Sequence, residues 1–599
     1  MNKLTYEDLL NIENPSRYLG GEFNSTIKTG AMLIKNCFCF PDLYEIGMSH
    51  TGMKILYEII NEQPQSVCER CFAPKVDFAT LLKRRDMELF SLETQTPLKM
   101  FDFLHFTFQY EMSYTNFLYM LDLANIPLRA KERGDDYPII IAGGPCAINL
   151  EPLADFLDVI VVGDGEEINK RFQEAYTKGM SKQEFFEKIR GWNGIYIPSQ
   201  YETHEDNGFT IVDCEQKVKR SIVDDLNKVS YMSKPVVPNM EIVHNRVAVE
   251  LFRGCTRGCR FCQAGYFYRP IRERNVENVV EISKKLIQNT GYSELSLFSL
   301  SSGDYPYLLE LIEKLKSEES LKNIKFALPS LRLDSFQGAY SFESRKSSLT
   351  FAPEAGTQRL RDVINKNITE ENILSSLSDA FNAKYDKIKL YFMIGLPTET
   401  PEDWQGIVDI TLKIQQLYQQ INQTRKKPKI TVSTSIFIPK PFTAFQYEKF
   451  ETKEYAEMAI NFLRTELKKI GAVYNYHDYD VSLIETILAR GDRKLSYVIE
   501  RAYKAGCIFD GWTEFFDIEK WREALSGVDV SRYLNEIDET QNLPWDVINI
   551  GVSKQYLLRE RRLSREGKTT CDCRNGCTGC GLTMIGGCKN AVSKIQENQ

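Results

Sequence analysis

Residues 246–265 read RVAVELFRGCTRGCRFCQAG. The first seven, RVAVELF, are apolar and β-branched enough for a strand, and the glycine- and arginine-rich stretch that follows cannot continue it. Cys255, Cys259 and Cys262 therefore stand in a Cys-x3-Cys-x2-Cys spacing on the loop that the strand delivers. Fifteen cysteines in this chain would give such a triple by chance in about one chain in a hundred. Neither a histidine nor a fourth cysteine lies within ten residues of the set. Three thiolates leave a tetrahedral zinc site incomplete, but they can hold three irons of a [4Fe–4S] cluster and leave the fourth iron open. The competing reading, three buried apolar cysteines, suits the polar, glycine-rich flanks poorly.

Working outward, further strands are expected over 294–299, 324–328, 348–351, 387–394 and 430–437. Val276, Val279, Val280, Leu286 and Ile287 recur at helical spacing between the first two strands of this series. Six such units predict a partial (β/α) barrel of the TIM type over 241–450, with its active site on the loops at the strand carboxyl ends. Upstream, strands are expected over 31–40, 102–108, 139–142 and 159–162, alternating with helices over 49–61 and 114–125. That alternation predicts a doubly wound, Rossmann-like α/β domain over 1–180, and such sheets bind ligands beyond their strand carboxyl ends. Its glycine-bearing loops are 41–47, 143–145 and 163–167. Residues 181–240 read as a connector, 451–566 as mostly helical, and 567–599 as a cysteine-rich tail.

Lys and Arg number 75 against 82 Asp and Glu, a formal charge of −7. Nucleic acid is not excluded as a partner, but no basic surplus advertises it. The apolar runs at 139–142 and 159–162 are far too short to span a bilayer, so no membrane partner is expected. The opening MNKLTYEDLL carries acids and lacks an apolar core, which predicts no signal peptide and a cytoplasmic location. Only five histidines accompany the fifteen cysteines. In a reducing compartment this favours thiolate-rich iron–sulfur or zinc sites over disulfides.

With these residues in view, the chain resembles the radical S-adenosylmethionine (SAM) superfamily. In that family the open iron chelates the amino and carboxylate groups of SAM, and an electron from the cluster cleaves the sulfonium to a 5′-deoxyadenosyl radical. The resemblance places Ser301, Ser302, Gly303 and Asp304 at a turn that meets the SAM amino group. Residues 348–361 (SLTFAPEAGTQRLR) resemble a segment of methylthiotransferase-like members, which would bring Glu354 and Arg359 near the SAM ribose or carboxylate. Glu354 reads equally well as an acid favoured by a helix N-terminus. Residues 393–399 (MIGLPTE) resemble the family segment near adenine and bring in Gly395 and Glu399, although the first family glycine is missing. Phe261 takes the place of an apolar residue beside adenine. Arg253, Arg257, Arg260, Arg269, Arg272 and Arg274 crowd 22 residues. They suit an anionic substrate or the SAM carboxylate, or else pairing with Glu250 and Glu273 on a solvated face.

The N-terminal domain resembles the cobalamin-binding fold, whose signature is Asp-x-His-x-x-Gly followed later by Gly-Gly. Asp42, Tyr44 and Gly47 occupy the first part, and Gly143 with Gly144 the second. Tyr44 replaces the histidine, and tyrosine is a poor cobalt ligand at neutral pH, so a histidine-held lower face is not expected. Residues 161–167 (VVGDGEE) look like the acidic glycine turn that closes this domain. A flavodoxin-like fold without cofactor is the alternative, and His50 reads as a helix cap or core residue. Segments such as PDLYEIGMSH, AGGPCAINLEPLADF and LARGDRKL extend the resemblance to one family of cobalamin-binding radical SAM proteins over nearly the whole chain. It implies cobalamin-dependent methyl transfer to an unactivated carbon of an unidentified substrate, with an electron donor such as flavodoxin or ferredoxin. Two alternatives stand beside it. One is a methylthiotransferase-like or other sulfur-inserting enzyme acting on RNA or protein. The other is a non-catalytic cobalamin or redox sensor.

In the tail, Cys573, Cys577 and Cys580 repeat the Cys-x3-Cys-x2-Cys spacing, flanked by Cys571 and Cys588. Five cysteines in eighteen glycine-rich residues cannot build an apolar core, so a metal staple is expected, either structural zinc or a second iron–sulfur cluster. The family it resembles tends to carry a cysteine where this chain has Thr583, so the fourth ligand is open between Cys571 and Cys588. An open three-thiolate site for substrate or a second SAM is a further reading.

Overall fold

A computed structural model describes residues 4–328, 348–582 and 588; Thr583 lies outside them. The N-terminal sheet has six strands: β1 (Ile34–Phe40), β2 (Ser66–Phe72), β3 (Phe103–Thr107), β4 (Ile139–Gly143), β5 (Val159–Val161) and β6 (Ile195–Tyr196). Their order is β2-β1-β3-β4-β5-β6, parallel except for the last pair. This is the doubly wound arrangement expected, with the strand order reversing between β1 and β3. Along β1, Cys37 and Cys39 enter one core while Phe38 and Phe40 enter another, the period of two that a sheet buried on both faces requires. The helix Thr51–Glu62 covers the second face through Met53, Tyr57 and Ile60.

The first face is covered partly by the C-terminal region. Ile487, Val498 and Trp521 share a core with Leu104, Phe106 and Ile140. Asn149 donates to the carbonyls of Ala489 and Gly491, both at 3.0 Å, and the Thr115 hydroxyl donates to Asp510 at 2.6 Å. Residues 181–240 do more than connect. A helix at Lys182–Ile189 starts with a Ser181–Glu184 capping box and buries Phe185 and Ile189 on the sheet. Val218–Lys219 then pairs with Ile548–Asn549.

Among the described residues the second unit has seven parallel strands that keep chain order. β7 (Val247–Glu250), β8 (Glu294–Phe298) and β9 (Lys325–Ala327) form one sheet. β10 (Leu349–Glu354), β11 (Lys387–Ile394), β12 (Lys429–Ile436) and β13 (Val473–Tyr476) form the other. Residues 329–347, between β9 and β10, are outside the described residues. Helices such as Val276–Thr290, Leu308–Ser317 and Pro401–Ile421 return the chain between strands, as in a (β/α) barrel wall. The strand β13 falls in the stretch expected to be mostly helical. It is an edge strand with little burial, so it shows no apolar alternation. Among the described residues no helix is long and apolar enough to cross a membrane.

Candidate functional site

The cysteine loop is pinched shut at its base. Phe252–Arg253 pairs antiparallel with Arg272–Glu273, bringing the two ends of the loop together. Gly254 sits at φ +93°, and a Cβ there would lie 2.6 Å from the carbonyl oxygens of both Tyr268 and Pro270, so the crossing needs glycine. Within the loop, Cys262 donates its N–H to the carbonyl of Cys259 at 3.1 Å, and Arg260 donates its N–H to Ile364 at 3.0 Å. Burial pushes the Cys262 thiol up to about 12; Cys259 and Cys255 add to the shift, and Lys366 opposes it. The three sulfurs therefore share one electrostatic neighbourhood. Among the described residues no three His, Cys, Asp or Glu side chains gather around a point fit for a single metal ion. The fit to a cluster rests on the donor set alone: three thiolates on one loop with no fourth ligand beside them can hold three irons and leave one open.

The arginines around the loop are structural. Arg253 pairs with Asp164 at 2.9 Å, Glu166 at 2.8 Å and Glu250 at 2.9 Å, joining the barrel to the N-terminal sheet. Arg272 also pairs with Asp164, and these two guanidiniums hold the Asp164 carboxyl down to about 2 against its burial. Arg260 pairs with Glu560 at 3.1 Å, both fully buried. Arg274 donates to the carbonyl of Leu226 and to Asn278. Arg257 pairs with Asp304 at 2.6 Å and with Asp572 at 3.0 Å.

The other residues singled out from the sequence fall into three groups. Ser301, Ser302, Gly303 and Asp304 form a turn after β8, with the Ser301 hydroxyl donating to Asp304 at 2.7 Å. Phe261 packs beside Leu396, Phe437 and Met393, at the ends of β11 and β12. Glu354 ends β10 at φ +68°, a strained conformation for glutamate, and pairs with Lys366 at 3.0 Å. Lys366 also lies within electrostatic reach of Cys262, so the Glu354–Lys366 pair stands near the cysteine loop. Arg359 turns instead to Asp403 and to the Thr398 carbonyl at 3.0 Å. Gly395 takes φ +80°. Burial pushes Glu399 up to about 7, against hydrogen bonds from Trp404, Leu396 and Tyr455.

A cavity of about 520 Å³ lies between the sheet and the barrel. Gly143, Gly144, Gly163 and Asp164 line it from the strand carboxyl ends of the sheet, and Arg253, Gly254, Tyr268 and Ser299 from the barrel. Asp42, Tyr44 and Gly47 do not line it. Asp42 accepts from the Trp512 indole at 3.0 Å, and Tyr44 is buried with its hydroxyl 3.2 Å from Glu22. Gly47 leaves room for the Phe72 ring, which a Cβ would meet at 2.3 Å. His50 does line the cavity. It caps the helix Thr51–Glu62 through the Met53 N–H at 3.1 Å, and burial lowers it to about 4, so the ring is neutral. Sequence reasoning missed Lys366 and Asn365. Asn365 donates to the Gly258 carbonyl at 3.0 Å and accepts from the Thr570 N–H at 2.7 Å. The signal was the run Asn365-Lys366-Asn367, whose two asparagines both take positive φ.

In the tail, burial raises Cys573, and Arg269 opposes the shift. Burial raises Cys588 to about 11, with Cys580, Cys573 and Cys577 adding to it. Cys571 is exposed.

The family described as radical SAM proteins, N-terminal, matches residues 52–198, and the radical SAM superfamily matches residues 249–410. A protein of Methanocaldococcus jannaschii, itself described as uncharacterized, is 29% identical over 433 residues, 72% of this chain and 87% of its own. A tRNA-2-methylthio-N(6)-dimethylallyladenosine synthase of Hydrogenobaculum sp. is 25% identical over 183 residues, which are 28% of this chain and 41% of that enzyme. Among solved structures, the radical SAM methyltransferase TsrM from Kitasatospora setae, with cobalamin and a [4Fe–4S] cluster bound, matches at 11% identity and a TM-score of 0.44, over 67% of this chain and 72% of that one. The cobalamin-dependent radical enzyme OxsB, with aqua-cobalamin and SAM bound, matches at 11% and 0.44 over 94% and 81%. The superfamily match spans the cysteine loop and the strands around it, and the chain belongs to the radical SAM superfamily as a radical SAM enzyme whose cofactors are a [4Fe–4S] cluster and SAM.

Proposed function

We propose that this enzyme uses cobalamin together with SAM to methylate an unactivated carbon, with Cys255, Cys259 and Cys262 as the ligands of the SAM-binding cluster. The observation that carries the reading is the shared cavity: the Gly143–Gly144 turn and the Arg253–Gly254 turn line the same space. When bound, the cluster with SAM supplies a radical and cobalamin supplies a methyl group. The chain's own part is to hold them facing each other. Gly143, Gly144 and Gly163 keep side chains out of the cavity wall. Phe261 and the apolar ends of β11 and β12 flank adenine. Glu354, held by Lys366, would lie near the ribose or carboxylate of SAM. Tyr44 is buried with its hydroxyl on Glu22 and would not serve as a cobalt ligand. A flavodoxin- or ferredoxin-class donor supplies the electron.

Anaerobic incubation with SAM and a low-potential reductant tests this. The reading expects 5′-deoxyadenosine together with S-adenosylhomocysteine, and corrin absorbance that survives desalting. 5′-Deoxyadenosine without any retained corrin would overturn it in favour of sulfur insertion. That second reading is supported by the local similarity to methylthio-tRNA synthases and by the cysteine-rich tail. Neither product would leave a sensor.

A further inference from the structure

A second chamber, of about 200 Å³, adjoins the shared cavity, and Ser49, Thr51 and Phe298 line both. Val249, Leu295 and Leu297 enter the apolar core on one face of β7 and β8. Ala248, Ser296 and Phe298 therefore turn to the other face, and all three line the chamber. Met232, Pro235 and Val236 add an apolar wall.

Against that wall stands Lys54. It ends the first turn of the helix Thr51–Glu62, where the helix dipole disfavours a cation and no acid is present to offset it. Among the described residues Lys54 makes no hydrogen bond or ion pair. Glu58, one turn further on, is taken up by the Ser233 N–H and hydroxyl, both at 2.6 Å, and by the Lys234 N–H at 3.0 Å. The other cation lining the chamber, Arg246, is matched by Glu294 at 2.7 Å. His244 gives its N–H to the Ser49 hydroxyl at 3.2 Å. Among the described residues no Asp or Glu lines the chamber. Burial, with the charge of Arg70, lowers Lys54 to about 8. A half-buried ammonium without a counter-charge is costly, and a bound anion removes that cost. The hydroxyls of Thr51 and Ser296 line the same chamber and have no partner among the described residues.

We infer that this chamber binds the carboxylate of an aliphatic acid, with Lys54 as its counter-ion and the Thr51 and Ser296 hydroxyls as donors. The acid's carbon chain runs past Phe298 into the shared cavity. This rests on the methyl-transfer reading and names the substrate class for it. Whole-ligand pockets run to about 300–1,000 Å³, so a chamber of this size takes a head group and leaves the rest of the molecule outside. One ammonium balances one carboxylate. A phosphate dianion would leave charge unmatched, and the arginine fork present is already spent on Glu294.

The test is binding of hexanoate to the anaerobically reconstituted full chain, read by saturation-transfer NMR. Hexanoate should bind saturably, and hexanamide, which has the same shape without the charge, should not. Lys54→Met should weaken hexanoate by about tenfold or more, the loss of a charge-assisted bond. Wild type gives a second readout that needs no variant. Hexanoate should slow acetylation of Lys54 by acetic anhydride, mapped by mass spectrometry, and leave that of the exposed Lys228 unchanged. Neither readout needs turnover, so the two readings fail separately. Hexanoate binding by protein that retains no corrin would sink methyl transfer and uphold the chamber. Corrin and S-adenosylhomocysteine without hexanoate binding would do the reverse. Binding unchanged in a natively folded Lys54→Met variant, or displacement of hexanoate by inorganic phosphate, would overturn the inference. So would loss of hexanoate on loading with hydroxocobalamin, which would give the chamber to the corrin.

Discussion

The backbone N–H of Cys573 is bonded to the carbonyl of Thr256 at 3.1 Å, so the C-terminal tail is tied to the residue that follows the first barrel cysteine. The Thr256 hydroxyl donates to Asp572 at 2.8 Å, and Asp572 also pairs with Arg257 at 3.0 Å. Asp572→Ala should therefore loosen both partners together. The expected cost is about 1–2 kcal/mol, because these are partly buried, charge-assisted bonds. Thermal unfolding measures the cost, and limited proteolysis should show faster cleavage within the tail. A tail as resistant as wild type would mean that the backbone bond alone holds it.

Asp164 is the lock between sheet and barrel. Its carboxylate pairs with both Arg253 and Arg272 and accepts the Val223 N–H at 2.8 Å. Asp164→Asn should cost about 3–5 kcal/mol, because it strands buried guanidinium charge. The pH dependence follows. The folded pKa, about 2, lies below the usual 3.8, so the stability this group adds is fully present above pH 4 and fades as pH falls towards 2. Acid unfolding of wild type and variant should converge at low pH. Parallel curves down to pH 2 would contradict the pairing.

Much of this was legible in the sequence, and the exceptions have physical causes. The alternation of strands and helices and the cysteine loop could be read because periodicity and spacing are local. The strand β2 could not, because SVCERCF carries Glu69 and Arg70 in the middle of a fully buried strand. Their charges are met at a distance in sequence: Glu69 by Ser91 and Thr94, Arg70 by Glu22 at 2.9 Å and Glu93 at 2.7 Å. The Asp42–Gly47 motif was visible, but Asp42's partner, Trp512, lies 470 residues away. The arginine crowd read equally well as a substrate site, since most of the acids that neutralise it (Asp164, Glu166, Asp304, Glu560 and Asp572) lie far away in sequence.

Gly143 lines the cavity in an ordinary extended conformation, and the nearest atom to a Cβ there is the Val161 carbonyl oxygen at 3.7 Å. A larger side chain can be added at that position without a clash at its root. Gly143→Leu should leave the circular dichroism unchanged and lower the corrin retained after desalting by about tenfold, the worth of about 1.4 kcal/mol of lost binding. Gly144 is the contrasting case. At φ +97°, with the Phe108 carbonyl oxygen 2.6 Å from a Cβ, Gly144→Leu should unfold the turn itself. Undiminished corrin in Gly143→Leu would place cobalamin elsewhere.

Glu399 provides a pH-sensitive element at the end of β11. It accepts the Leu396 N–H at 3.1 Å and the Tyr455 hydroxyl at 3.2 Å, together with the Trp404 indole. Burial outweighs these bonds and lifts its pKa from 4.5 to about 7. Between those values the folded chain holds a proton that the unfolded chain has released. The stability it contributes is therefore fully present below about pH 4.5 and is lost as pH rises through 7. Its size is about 2 kcal/mol once partial solvent access is allowed for. Glu399→Gln keeps one acceptor oxygen, enough for the Trp404 and Tyr455 donors that share Oε1, and removes the titration. Asp510, which burial raises to about 6, titrates in the same window, so the difference between the two proteins isolates Glu399. Thermal unfolding at pH 5, 6, 7 and 8 should show wild type losing ground to Glu399→Gln across the series, with the variant the more stable at pH 8. A constant gap between the two curves would show that Glu399 is ionised throughout and that its hydrogen bonds, not its burial, set its charge.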